Sequence, residues 1–373
     1  MNTTTTTSPG SGSGGTSPTA KNLPNRGRIA TTFSTIMESK GLGWGALGLA
    51  LFLPLINASP YALSILTSAA IFILLASGLN IVVGYCGLLD LGYIAFMAVG
   101  AYTAGIVSQS FQLPLIFTIP AVLVMTILAG LIIGAPTLRL RSDYLAIVTL
   151  GFGEIVRITA NNIAVTGGPS GIFGIPGILT IGDFDLQNPA IFYYFTVIVV
   201  AVFVVWSARL GKSRLGRAWR FVREDEDAAE AMGIHTYKVK LLAYIFGAIW
   251  GGAGGVLFAS HITAVSPQSF VFLQSALVLM AVVMGGMGNM RGVIIGALII
   301  YLLPELLRDL AAYRYLAFGV LLVVVMIFRP QGLWPTRASE PEREGVDGGE
   351  ASADADADAD ADSVSAPAKA KRR

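Results

Sequence analysis

Between two polar tails the chain is a succession of apolar runs, and one charged stretch at 212–240 interrupts them midway. That pattern constrains the fold more than any motif does. A helix crosses the hydrocarbon core with about 20 apolar residues, and only closed hydrogen-bonded structures survive there. The sequence is 54% hydrophobic and 13% charged, whereas soluble domains are about a quarter charged. An all-α polytopic membrane protein with about ten transmembrane helices is expected. The runs fall at 44–56, 61–83, 88–107, 115–135, 144–160, 191–206 and 241–260. Three more lie beyond them: one ending in the 284–292 turn, one ending near 307, and one at 315–328.

The expected organisation has three parts. Residues 1–40 are rich in Thr, Ser, Gly and Pro, and 336–373 are acidic, then alternate Ala and Asp. Neither segment has enough apolar surface to offset chain entropy, so both are expected to be disordered cytoplasmic tails. Residues 41–335 form the transmembrane domain. Basic residues set its orientation: Arg139, Arg141, the 212–240 loop, Arg291 and Arg329 fall on one side of a ten-span count, which the positive-inside rule makes cytoplasmic. Arg157, Arg308 and Arg314 are the exceptions. The expected location is a prokaryotic plasma membrane, with both termini inside.

Within 212–240, Leu215, Ala218, Trp219, Val222, Ala229 and Met232 recur at helical spacing, and Gly233 is suited to a helix stop. Asp225 and Glu226 interrupt the stripe, so one helix or two is open. An amphipathic helix of this kind lies in lipid headgroups or is gripped by a soluble partner. The carboxylates of Glu224, Asp225, Glu226 and Asp227 favour the partner, because an anionic lipid surface offers them nothing.

Polar groups inside apolar runs are the other candidates. Asn80 and Asp90 bracket a Gly-rich break at 84–87; Asp90 either caps the following span or lines a substrate path. Glu154 and Arg157, at i,i+3 spacing, pair either as an interfacial salt bridge or as part of that path. A lone cysteine, Cys86, excludes an intramolecular disulfide, and the two histidines, His235 and His261, are read as loop residues. No cofactor, bound metal or nucleic-acid partner is expected. A membrane enzyme lacks its convergent acid–base or metal groups here. An ion-coupled secondary transporter would carry more intramembrane carboxylates than Asp90 and Glu154.

The string Asp227-Ala228-Ala229-x-x-x-Gly233 resembles the Glu-Ala-Ala-x-x-x-Gly loop of ABC importer permeases. Gly216–Ile234, 78–103 and 140–157 resemble the LivM-type permeases of branched-chain amino acid transporters, as does the Thr-Gly-Gly-Pro-x-Gly-Ile core at 166–172. The resemblance implies a coupling loop built from Gly216, Arg217, Arg220, Arg223, Glu224, Asp225, Asp227, Ala228, Ala229 and Gly233. It implies leucine, isoleucine and valine as substrates, with urea, short amides or other amino acids as the alternative cargo. It also implies a second homologous permease forming a heterodimer, two ATP-binding subunits, an extracytoplasmic substrate-binding protein and a lipid environment. The chain holds no Gly-x-x-x-x-Gly-Lys-Ser/Thr loop, so ATP hydrolysis would reside in partners.

Overall fold

In the computed structural model the described residues are 59–138, 142–178, 180–181, 184–185, 188–306, 319–320 and 333. The chain divides into Met1–Leu49 and Ala50–Arg373, and every described residue lies in the second unit. Both expected tails and the run at 44–56 lie outside the described residues, as does nearly all of the run at 315–328.

Helix α1 spans Pro60–Leu79. Ser59 caps it by accepting from the Ala62 amide, and Pro60 at its first position lacks the amide that a helix start leaves unpaired. It is apolar all round and mostly buried, as a helix at the centre of a bundle must be. It continues into a π-helical turn, Asn80–Tyr85. Then come α2 (Ile94–Phe111), α3 (Ile119–Thr137), α4 (Ser142–Asn162), α5 (Pro189–Lys212), α6 (Arg214–Glu224) and α7 (Glu226–Ala231). Helices α8 (Thr236–Ile262), α9 (Phe272–Gly285) and α10 (Met290–Leu306) complete the order. Six segments among the described residues are long and apolar enough to cross a membrane: 60–85, 94–111, 115–137, 189–212, 236–262 and 267–285.

Helix α8 is the hub, packed against α1, α2 and α3, while α1 also meets α5 and α10. Small residues make the closest approach possible. A Cβ on Gly100 of α2 would stand 2.5 Å from the Gly252 carbonyl oxygen of α8, and one on Gly255 would stand 2.3 Å from the Met97 carbonyl oxygen. Trp250 of α8 is wholly buried, with Phe203 edge-on at 5.0 Å and Trp206 at 5.1 Å between ring centroids, which seats α5.

Two expectations are corrected. The run at 88–107 becomes helical only at Ile94, and the run at 241–260 is helical from Thr236 through Ile262. His261 is therefore in the last turn of α8, stacked on Phe192 at 5.7 Å, rather than in a loop.

The Gly/Pro-rich segment after α4 closes the end of the bundle opposite α6 and α7. Its β1 (Ile172–Phe173) pairs antiparallel with β4 (Ala264–Val265), and β2 (Thr180–Ile181) pairs with β3 (Phe184–Asp185). Gln109 of α2 donates to the Phe173 carbonyl at 2.6 Å. The Ile116 amide, just before α3, donates to the Ile178 carbonyl at 3.2 Å.

Because the α2–α8 contact is backbone on backbone, Gly100→Ala is expected to destabilise the protein by about 1–3 kcal/mol. Gly151→Ala, whose Cβ meets nothing within 4 Å, is expected to stay within about 0.5 kcal/mol. Thermal unfolding of the detergent-solubilised protein measures the difference.

Candidate functional site

At one end of the bundle α6 and α7 form a charged platform. Ser213 caps α6 by accepting from the Gly216 amide at 3.2 Å. Gly216 lets α6 fold back onto α5: a Cβ there would lie 2.4 Å from the Gly211 and Leu210 carbonyl oxygens. Trp219, wholly buried, pins the helix from below by donating its indole N–H to the Val239 carbonyl at 2.8 Å. Arg220 donates to the Gly211 carbonyl at 2.8 Å. Arg223 donates to the Gly84 carbonyl, in the π-helical end of α1. Gly87 takes φ +76°, and a Cβ on it would press on the Arg223 side chain at 2.7 Å.

The helix breaks at Asp225, which is extended and caps α7 by accepting from the Ala228 amide at 3.0 Å. Two helices therefore replace the single alternative. Ala229 is buried beneath α7, and Glu226 ion-pairs with the buried Lys240 of α8. Gly233, at φ +83°, ends the motif: the Ile234 amide reaches the Ala229 carbonyl at 3.0 Å, the Schellman closure that a left-handed residue permits. Arg217, Glu224, Asp227 and Ala228 are exposed. Met232, expected on the apolar stripe, is 84% exposed, because α7 stops before its position turns inward. Phe221, 59% exposed, is the other large apolar side chain on this outer face.

Beneath the platform the chain departs from helix. The Asn80 side-chain carbonyl accepts the Gly288 amide at 2.9 Å, joining the end of α1 to the turn between α9 and α10. From Gly87 to Tyr93 the backbone is irregular, and side chains from three places satisfy it. Thr149 of α4 accepts the Leu91 amide at 3.1 Å, Asp90 accepts the Gly92 amide at 2.8 Å, and Ser275 of α9 accepts the Ile94 amide at 3.1 Å. Asp90 is fully buried, with its carboxyl facing the Thr149 and Tyr244 hydroxyls.

The four polar candidates thus divide. Asn80 and Asp90 each hold one backbone amide, while the Asn80 side-chain nitrogen and the second Asp90 oxygen are buried with no hydrogen-bond partner among the described residues. Arg157 and Glu154 pair at 2.8 Å on α4 and remain partly exposed, 25% and 34% respectively. Glu154 borders a small open-sided recess of about 10 Å³, room for about one water, whose other walls include Leu91, Ile94, Leu150, Phe270 and Phe272. Thr149 and Ser275 were not singled out from sequence, and Trp219 was read there only as part of the apolar stripe. The only signal of Thr149 and Ser275 was a hydroxyl placed in an apolar run.

The family profile described as the branched-chain amino acid transport system / permease component matches residues 61–328. The chain belongs to this permease family. It is 42% identical over 312 residues to the high-affinity branched-chain amino acid transport system permease protein LivM of Escherichia coli K12, covering 77% of this chain and 73% of that one. The probable LivM of Methanocaldococcus jannaschii is 25% identical over 236 residues, covering 58% and 68%. The E. coli LivH permease is 31% identical over 123 residues, covering 32% and 40%. No solved structure matches. The permease family match covers all the breaks and the platform just described.

Arg223 is the side chain that fixes the platform to α1. Replacing it by Ala is expected to raise amide hydrogen exchange across α6 about tenfold or more, since a hydrogen bond from a charged donor contributes about 1.5–3 kcal/mol. Unchanged exchange in α6 would place the anchoring elsewhere.

Proposed function

We propose that this chain is the membrane-spanning permease subunit of an ABC importer for branched-chain amino acids, and that it moves leucine, isoleucine and valine by alternating access. The observation that carries this reading is the 42% identity, over most of both chains, to a permease named for that cargo. The local likeness to LivH supports a second, homologous permease as its partner in a heterodimer. Two ATP-binding subunits and an extracytoplasmic substrate-binding protein complete the assembly. The complex sits in a prokaryotic plasma membrane with both termini inside. Adding α4, α10 and the runs at 44–56 and 315–328 to the six long apolar segments brings the spans to ten.

The α6–α7 platform suits the role of ATPase dock. Its inner side is fastened to the spans through Trp219, Arg220 and Arg223, and its outer side shows Phe221, Met232 and the acidic residues Glu224, Asp227 and Glu230. A helix resting only in headgroups would turn exposed apolar side chains to lipid, but it would not also display this many carboxylates. The dock offers a partner an apolar pair framed by charge, which is the composition of a transient interface.

The test is labelled-leucine uptake in a strain lacking its own system, with all subunits supplied. Phe221→Glu with Met232→Glu alters only exposed positions. Uptake is expected to fall at least tenfold, and the ATPase subunits to be lost on purification while the permease pair stays together. Leucine uptake that follows a proton or sodium gradient and ignores these changes would make the protein a secondary transporter. ATP-dependent uptake of urea or of another amino acid instead of leucine would keep the architecture and change the cargo.

A further inference from the structure

Four cations crowd the elbow between α5 and α6: Arg209 and Lys212 in the last turn of α5, Arg214 and Arg217 in the first turn of α6. All four are exposed. None has a carboxylate partner among the described residues, whose ion pairs are Glu154–Arg157 and Glu226–Lys240. Between Asp185 and Glu224 the sequence carries no acid at all. Arg220 and Arg223, further along α6, differ from these four, because each is held by a backbone carbonyl of a neighbouring span.

Local structure accounts for only half of the cluster. Cations at the end of α5 suit the negative pole of that helix, but Arg214 and Arg217 stand at the positive pole of α6, where a cation is unfavourable. The turn then brings the two pairs together. The Ser213 hydroxyl donates to the Leu210 carbonyl at 2.6 Å, and α6 folds back so far that Gly216 has no room for a Cβ. The Arg217 guanidinium donates to the Lys212 carbonyl at 3.3 Å, so a cation of α6 is seated on the last residue of α5, itself a lysine. Like charges gathered in this way repel until an anion joins them.

The face of α5 that leads to the elbow says which anion. Ile198, Val202, Val205 and Trp206 are the exposed large apolar residues of α5, and Arg209 and Lys212 continue their helical spacing on the same face. Aliphatic side chains, then tryptophan, then cations is the order of hydrocarbon, interface and headgroup. We propose that the α5–α6 elbow is a binding site for an anionic phospholipid. Its phosphodiester lies among Arg209, Lys212, Arg214 and Arg217, and its acyl chains run along Ile198, Val202 and Val205. The inference goes beyond the transport reading and needs only the membrane-spanning fold. Guanidinium groups suit a phosphate because they donate two parallel hydrogen bonds, and lysine adds a point charge. Four bases directly beside a transmembrane helix form the kind of cluster that holds anionic headgroups. Glu224 closes α6 about 15 Å from Arg214, and Asp227 and Glu230 lie beyond it on α7, so the lipid and the ATPase dock take opposite ends of the platform.

The permease pair in nanodiscs of phosphatidylcholine, with or without phosphatidylglycerol, tests this on the unaltered chain. Lys212 and Lys238 are both exposed at this end of the bundle, and a neutral acylating reagent marks each, read by peptide mass spectrometry. Phosphatidylglycerol is expected to slow the marking of Lys212 about threefold or more relative to Lys238. Equal slowing at the two lysines would be the general field of an anionic surface and overturns the site. Protection of Lys212 that is as strong in phosphatidylcholine alone, or that comes only with the ATPase subunits, would give the elbow to a protein surface and also overturns it. Inorganic phosphate added to phosphatidylcholine discs is expected to protect nothing; protection equal to that of the lipid would make this a site for a soluble anion instead.

A second measurement follows the lipid itself. In Arg209→Gln with Lys212→Gln and Arg214→Gln, the phosphatidylglycerol that stays with the pair through detergent purification is expected to fall about threefold or more. Lys238→Gln is expected to leave it unchanged. Wild-type retention in the triple variant overturns the proposal. None of these outcomes touches the cargo, which leucine uptake decides.

Discussion

Everything in this bundle is arranged around one requirement: the backbone of Gly87–Tyr93 is not helical, yet it lies among helices and must find its hydrogen bonds there. Each unmet buried amide would cost about 1–3 kcal/mol. Thr149, Asp90 and Ser275 meet the requirement at Leu91, Gly92 and Ile94. Those partners come from α4, from the segment itself and from α9, so the break ties three parts of the chain together. Gly92 shows how little room is left, since a Cβ on it would meet the Thr149 carbonyl oxygen at 1.9 Å. The break is stable only because the bundle surrounds it.

The same logic explains why α8 is the hub. A helix that touches α1, α2 and α3 at once cannot carry large residues on every side, and its glycines at 251, 252, 254 and 255 let neighbouring backbones approach. Aromatic residues fill the wider gap on the α5 side, around Trp250. Close approach on one flank and large rings on another seat α8 in one rotation, and that rotation points the Tyr244 hydroxyl at Asp90 and the Gly247 carbonyl at the Tyr93 hydroxyl, 3.0 Å away.

Most spans were legible because apolar length is a property of the chain itself. The runs read at 61–83 and 115–135 lie within the long apolar segments observed at 60–85 and 115–137. The start of α2 was not legible. Apart from Asp90, residues 88–93 are much like the apolar residues of α2 itself, and their departure from helix is decided by Thr149 and Ser275, which lie far along the sequence. The start of α8 was misplaced for a related reason. Lys240 looks like a loop residue until its partner Glu226 is seen beside it, where an ion pair lets a buried lysine sit inside a helix. At the platform, the stop at Gly233 comes from the residue's tolerance of positive φ, whereas the exposure of Met232 depends on where α7 ends. Of the polar candidates, sequence could mark Asn80, Asp90, Glu154 and Arg157 as costly. Only the contacts separate the first two, which hold backbone, from the last two, which pair with each other and stay partly exposed.

Those contacts also connect the platform to the recess beside Glu154. Arg223 of α6 holds the Gly84 carbonyl, and Asn80, one turn earlier in α1, holds the Gly288 amide. The chain leaves that π-helical turn through Gly87, which rests against Arg223, and reaches Leu91 and Ile94 four and seven residues later. Both line the recess that Glu154 borders. π-helical turns are rare and occur mostly as single turns inside α-helices, frequently at functional sites. This one sits between a side chain of the platform and the wall of the recess. Physical continuity alone does not make a transmission; that requires an element with two arrangements. The turn at Asn80–Tyr85 lies in this path, and Asn80 and Arg223 are the side chains that tie it to the α9–α10 turn and to α6.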